Sequence, residues 1–123
     1  MSNFIITYKF FLNTSKLRAC EVLLNRITKA YGGEIRVTKK EPYWKDPNQF
    51  VATFTIDLDE TEIEKAIYKT IIITNCWCTS LGIGPPTLYD NGVFILEGNS
   101  TDNHFTMAGI NCIIFELNGS NIN

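Results

Sequence analysis

The side chains of this 123-residue chain that could act as nucleophiles or metal ligands are four cysteines, one histidine and a short run of carboxylates. A zinc site uses thiolates and imidazoles at characteristic spacings, most often C-x-x-C pairs. Cys76 and Cys78 are separated by a single residue, and His104 supplies one imidazole. Cys20 and Cys112 sit among apolar neighbours, where a free thiol behaves as a small hydrophobe. These spacings lead us to expect four free cysteines, no metal and no cofactor. Covalent catalysis would need a nucleophile, a base and an orienting group brought together. No G-x-S-x-G, H-E-x-x-H or P-loop pattern occurs. Gly82-Ile83-Gly84 resembles half a nucleotide fingerprint, but Pro85-Pro86 follows and cannot offer the backbone N–H groups that a phosphate requires. His104 reads as an exposed strand-end residue, with pairing to a distant Cys or Asp as the alternative. An enzyme working through Cys76, Cys78 or His104 is the weakest reading, and the chain is expected not to be an enzyme.

Carboxylates are denser. Asp57, Asp59, Glu60, Glu62 and Glu64 fall within eight positions. Asp59 with Glu62, or Thr61 with Glu64, makes a capping-box pattern, and an acidic first turn complements the helix dipole. That accounts for Asp59, Glu62 and Glu64, and less well for Asp57, which lies on the strand face opposite the core residues. The second reading is an acidic patch that meets a basic partner. Tyr43 and Trp44, in a proline-bordered loop, likewise carry two readings: a lid folded on the core, or an exposed anchor for a protein partner.

Hydrophobic periodicity sets the elements that would position these residues. Phe4, Ile6, Tyr8, Phe10 and Leu12 alternate along a first strand, Phe4 to Leu12, with Phe11 on the opposite face as a packing residue. Thr14-Ser15 opens a helix whose stripe is Leu17, Cys20, Leu24, Ile27 and Tyr31, and Gly32-Gly33 stops it. A strand from Glu34 to Lys40 turns Ile35 and Val37 inward and Arg36, Thr38 and Lys40 outward. The prolines of Glu41–Asn48 predict a loop. A third strand runs from Phe50 to Leu58. Ile63, Ala66, Ile67, Ile71, Thr74, Cys78 and Leu81 predict a second helix, although Thr70–Thr74 is β-branched throughout. The alternative ends that helix early and extends Cys76 to Thr79; Trp77 packs in either case. Gly82–Pro86 breaks the chain, Asp90-Asn91-Gly92 joins Thr87–Tyr89 to Val93–Glu97 as a hairpin, and Gly98–Asn103 turns again. The last strand runs from His104 to Leu117 with a bulge at Gly109.

The order β-α-β-β-α-β-β-β makes residues 1–117 one α+β domain, mainly antiparallel with two helices on one face, and 118–123 a frayed polar tail. Its first five elements could begin a ferredoxin-like split βαβ unit. A net charge of −2 and a pI near 5.3 argue against a general nucleic-acid binder. The start lacks the basic leader and cleavage site of a signal peptide, and no apolar run is long enough for a membrane span, so a cytoplasmic location is expected.

The second half resembles a known family. A helix running into Trp77, then Gly84-Pro85, the hairpin Asp90–Glu97 and the closing strand Ile110–Leu117 are similar to bacterial immunity proteins of polymorphic and contact-dependent growth-inhibition toxin systems. Pro86 and Cys112 depart from the tryptophans those relatives carry there. The resemblance implies a cytoplasmic antidote that binds and neutralises one toxin C-terminal domain, with basic nuclease toxins suited to an acidic partner. Under that reading Asp57, Asp59, Glu60 and Glu62 form an electrostatic edge, with Tyr43 and Trp44 as an anchor. The alternative is a ferredoxin-like regulatory domain that binds a small molecule.

Overall fold

Alternation in the first segment produces a strand because one face of it is swallowed whole. In β1, Phe4–Leu12, the residues Phe4, Ile6, Tyr8, Phe10 and Leu12 have no exposed surface. The computed structural model describes residues 4–101 and 104–120. After β1 come α1 (Leu17–Tyr31), β2 (Arg36–Tyr43), β3 (Asp46–Leu58) and α2 (Ile63–Thr74). Two short strands follow, β4 (Gly82–Ile83) and β5 (Thr87–Leu88), then β6 (Val93–Thr101) and β7 (Ile110–Ser120). The sheet order is β2-β3-β1-β7-β6-β4, with β5 also on β6, and every pairing is antiparallel.

This order contains a split βαβ pattern. β1 and β2 both run against β3 and are therefore parallel to each other, joined by α1; β3 and β7 likewise flank β1. Between α2 and β7 the chain adds β4, β5 and β6, which widen the sheet beyond β7. Both helices lie on the face of Tyr8. The Tyr8 hydroxyl meets Thr74 Oγ1 of α2 at 2.7 Å, and Trp77, just past α2, donates its indole N–H to the Ile27 carbonyl of α1 at 2.9 Å. Trp77 is fully buried and stands edge-on to Tyr8 (5.1 Å), Phe10 (5.2 Å) and Phe54 (6.0 Å).

Several boundaries move, each for a physical reason. The expected loop at 41–48 is a hairpin turning at Trp44-Lys45, because Pro42 lies on the edge strand β2 and Pro47 lies where β3 has outrun β1. A bulge between Val37 and Lys39 shifts register, so Lys40, expected to face outward, pairs with Ala52 on the helix side and reaches Glu21 of α1 at 2.9 Å. Val37 does face the helix side, opposite Phe54, but at the sheet margin it stays 41% exposed. α2 ends at Thr74, short of Cys78 and Leu81. Its β-branched run is tolerated because the Thr70 and Thr74 hydroxyls donate to the carbonyls of Ala66 and Thr70, at 2.8 and 2.7 Å. Backbone turns then carry Trp77 inward, and Cys78 makes a single antiparallel bridge to Phe105.

The helix starts also differ. Glu62 occupies the α2 N-cap position and makes no side-chain cap, so neither capping box forms. Lys16, rather than Thr14 or Ser15, is the N-cap of α1; Thr14 Oγ1 accepts the Lys16 N–H at 3.1 Å. Gly32 closes α1 as expected, at φ 80°.

Gly98–Thr101, expected as part of a turn, belongs to β6. A side chain at Gly98 would enter the Phe115 ring and come within 2.8 Å of the Gly82 carbonyl, so this glycine serves a close strand approach. β7 begins only at Ile110, the bulge falls between its partners for Phe11 and Leu12, and Asn118–Ser120 pair in the ladder where a frayed tail was expected. The Asp90–Gly92 turn closes as anticipated, Gly92 N–H donating to Tyr89 O at 2.9 Å.

Two outcomes follow. Gly98→Ala should cost about 1–3 kcal/mol in urea unfolding, with part recovered by adding Phe115→Leu. Burial raises the ionisation of the Cys20 and Cys78 thiols above 9.0 and of the Tyr8 phenol above 10.0. Because the folded state holds these protons longer, stability should be level up to about pH 8.5 and fall above it as the unfolded groups ionise, measured as the urea midpoint from neutral to alkaline pH.

Candidate functional site

β3 is thirteen residues long, and β1 pairs only with its last nine, Phe50 to Leu58. Its first four residues, with the end of β2, therefore project beyond β1 by roughly 13 Å at the strand rise per residue. At the tip Trp44 keeps 83% of its surface exposed, and Lys45 Nζ lies 5.0 Å from its ring centroid. Tyr43 is half-buried and packs edge-on against Phe11 at 4.9 Å, with Trp44 6.3 Å beyond. Glu41, Val51, Phe11 and Cys112 stand opposite one another across four strands on the face away from the helices. Tyr43 is thus seated on the helix-free face of the sheet, and Trp44 is presented to solvent. Of the two readings, a lid on the main core does not describe this hairpin.

The tip is held by covalent and polar constraints of its own. Pro42 and Pro47 fix backbone torsions on either side of the turn. Asp46 Oδ1 accepts the Asn48 N–H at 2.9 Å, closing an Asx turn at the base. An aromatic side chain of two torsions on such a base loses little entropy when a partner covers it.

The carboxylates lie at the other end of β3. Asp57 is roughly 35 Å from Asp46 along the strand, so the acidic run and the aromatic hairpin form separate surfaces rather than one. Most of the acidic run is already partnered. Asp57 pairs with Arg36 at 3.2 Å, Glu62 with Lys65 at 3.2 Å and Glu60 with Lys69 at 2.5 Å. The Glu60 hydrogen bond, with Asp59 contributing, holds the Lys69 ammonium above its usual ionisation range. Asp59 is exposed and makes no ion pair among the described residues. Exposed pairs of this kind contribute little to stability, but they lower the field the patch offers to a partner.

The nucleophiles are dispersed. Cys20 and Cys78 are buried, and burial pushes both thiols up. Cys78 Sγ donates to the Thr74 carbonyl at 3.5 Å, and Cys76 is half-buried beside Ile72. His104 is exposed, and its carbonyl accepts both the Thr79 N–H (2.6 Å) and the Thr79 hydroxyl (3.2 Å). Among the described residues no three His, Cys, Asp or Glu side chains gather as a metal site would require. No helix among them is long and apolar enough to cross a membrane.

Sequence reasoning singled out Tyr43 and Trp44 but not Phe11 as their seat. The signal was present, since alternation places Phe11 opposite the core, yet its neighbour is fixed by cross-strand register.

The two tryptophans should behave differently. Acrylamide should quench Trp44 fluorescence readily and Trp77 hardly at all, and Trp44→Phe should remove the quenchable component; equal quenching of both would contradict the exposed hairpin. Comparison with protein-family models, with curated proteins and with solved structures finds no match.

Proposed function

We propose that this chain is a cytoplasmic immunity protein that binds a cognate bacterial toxin domain one-to-one and neutralises it through surface complementarity. The observation that carries the reading is the projecting hairpin with Trp44 exposed and Tyr43 seated on Phe11. Tryptophan, with tyrosine and arginine, is enriched at the energetic centres of protein interfaces. Its support in sequence is the similarity of Trp77, Gly84-Pro85, Asp90–Glu97 and Ile110–Leu117 to immunity proteins. The net charge of −2 suits a basic toxin such as a nuclease, for which opposite charge speeds encounter. In this reading Trp44 and Tyr43 supply most of the affinity. Of Asp57, Asp59, Glu60 and Glu62, only Asp59 makes no ion pair among the described residues, and the other three add to steering only by exchanging their present lysine and arginine partners.

The test is co-expression and capture of the toxin domain encoded beside this chain, followed by affinity measurement. Trp44→Ala should weaken binding by roughly 30-fold or more, the loss expected of an interface centre, with unfolding unchanged. Reversing Asp57, Asp59, Glu60 and Glu62 to Lys should slow association at low salt far more than at high salt. Absence of capture, or full affinity in Trp44→Ala, would remove the hairpin from this role.

A second reading is a small-molecule-binding regulatory domain, favoured by the β2-β3-β1-β7 order, which is that of a split βαβ unit. A thermal shift with a metabolite, in place of capture of a toxin, would support it.

A further inference from the structure

The helix-free face of the sheet carries its charge unevenly. Register places Arg36, Thr55, Thr7, Glu116 and Glu97 in one row across β2, β3, β1, β7 and β6. Their neighbours along the strands, Phe54, Tyr8, Phe115 and Leu96, are buried in the core, so the row itself faces away from the helices. At one end Arg36 is taken by Asp57, and in the next row Lys39 lies 3.9 Å from Glu41. At the other end Glu116 and Glu97 stand directly opposite each other, and neither makes an ion pair among the described residues. Lys9 is diagonal to Glu116, two residues on from Thr7, and does not close on it. Carboxylates opposed across two strands repel, and a cation between them removes that cost.

A groove of about 440 Å³ opens beside this pair, lined by Gly82, Gly84, Glu97, Asn99 and Ile114 among others. Its floor is bare because two of those residues are glycines. Gly82 pairs with Asn99, and the Gly84 N–H donates to the Glu97 carbonyl at 3.0 Å. A Cβ at either glycine would meet nothing closer than 3.6 Å, the distance from Gly82 to Asn99 Oδ1. Ile114 stands opposite Asn99 and keeps 42% of its surface exposed, an apolar wall. The groove thus combines an aliphatic wall, an amide oxygen and two carboxylates. Arginine matches that set. Its stem lies along apolar surface, and its planar guanidinium has enough donors in a fixed fork to serve both carboxylates at once. A lysine ammonium would supply the charge as a point and satisfy fewer acceptors.

We propose that this groove takes an arginine of a basic protein partner, its stem on Ile114 and its guanidinium between Glu97 and Glu116. The partner's identity rests on the antidote reading above, under which that arginine belongs to the toxin domain. Cys112, the neighbour of Phe11, precedes Glu116 by four residues on the same face of β7, about 14 Å at the strand rise per residue. A partner seated on Tyr43 and Trp44 therefore reaches the groove within an interface of ordinary size. Asp57, Glu60 and Glu62 must give up a cation to meet one, whereas Glu97 and Glu116 give up none. The groove adds charge selectivity to the affinity of the aromatic tip.

The experiment is an NMR titration of backbone amides in the full chain with N-acetylargininamide at about 50 mM salt, with N-acetylcitrullinamide as the uncharged control. Amides of Gly84, Glu97, Asn99 and Ile114 should shift and saturate at severalfold lower concentration than those beside Asp59 and Glu64, which are exposed and make no ion pair among the described residues. The citrulline compound should leave them in place. E97Q/E116Q should abolish the preference. So should Gly82→Leu, which fills the groove and keeps both carboxylates, with the native circular dichroism spectrum in each variant. Equal saturation at every exposed carboxylate, wild-type binding in Gly82→Leu, or calcium chloride saturating below the arginine compound would overturn the proposal. Sedimentation showing a dimer that E97Q/E116Q dissolves would assign the groove to a second copy and overturn it as well. Against a captured toxin domain, E97Q/E116Q should weaken affinity about tenfold, the scale of one charge-assisted hydrogen bond, and full affinity would exclude the groove from that interface. Failure to capture any toxin strikes the antidote reading alone, because the arginine titration does not depend on it.

Discussion

Trp77 is the side chain on which the arrangement of layers depends. It leaves α2 through two backbone turns, its own N–H donating to the Thr74 carbonyl at 3.0 Å, and then enters the space between both helices and the sheet. Its ring meets Tyr8 and Phe10 of β1, Phe54 of β3 and Tyr31 of α1. Its indole N–H ends on the Ile27 carbonyl, and its own carbonyl accepts the Thr106 N–H at 2.9 Å. One residue thus ties α1, the end of α2, the sheet and the segment that leads into β7. A buried indole N–H without an acceptor would cost free energy, so that hydrogen bond adds to the apolar stripe in setting the position of α1.

The polar groups that accompany it are satisfied in a defined direction. The Thr74 hydroxyl donates to the Thr70 carbonyl, so the Tyr8 hydroxyl is the donor to Thr74 Oγ1. No buried side-chain nitrogen or oxygen among the described residues lacks a partner. Burial therefore keeps Tyr8 as a phenol and Cys20 and Cys78 as thiols, the forms in which they pack rather than react.

One-sided burial then shapes what is left for a partner. The helices cover the Tyr8 face, and the pleat sends Ile5, Lys9, Phe11, Ile114 and Glu116 to the other. That open face gives Tyr43 its seat on Phe11 and carries the hairpin beyond the sheet. The acidic lead into α2 is drawn into pairs with Arg36, Lys65 and Lys69, and it sits at the opposite end of the molecule from Trp44. Surface recognition here separates into an aromatic tip and a charged end, each held by a different pair of elements.

The local pattern of the sequence determined β1, the body of α1, the core half of β3, the Asp90–Gly92 turn and the α+β class, because each is a short-range property of alternation, 3.6-residue periodicity or glycine torsion. It also marked Tyr43 and Trp44 as residues without a place in the core pattern. Tertiary structure alone decided the rest. Pro42 is admissible in β2 only because β2 is the edge of the sheet, and an edge is a property of strand order, which no local pattern encodes. The β-branched run at Thr70–Thr74 stays helical because its face is buried and two of its hydroxyls find backbone acceptors. The carboxylates near Asp57 read as helix caps or as an acidic patch until the fold brought Arg36 and Lys69 to them, and Gly98 read as a turn until Phe115 was placed across it. Such pairings join residues twenty or so positions apart (Arg36 with Asp57) or a strand away, and register, set by the whole sheet, selects them.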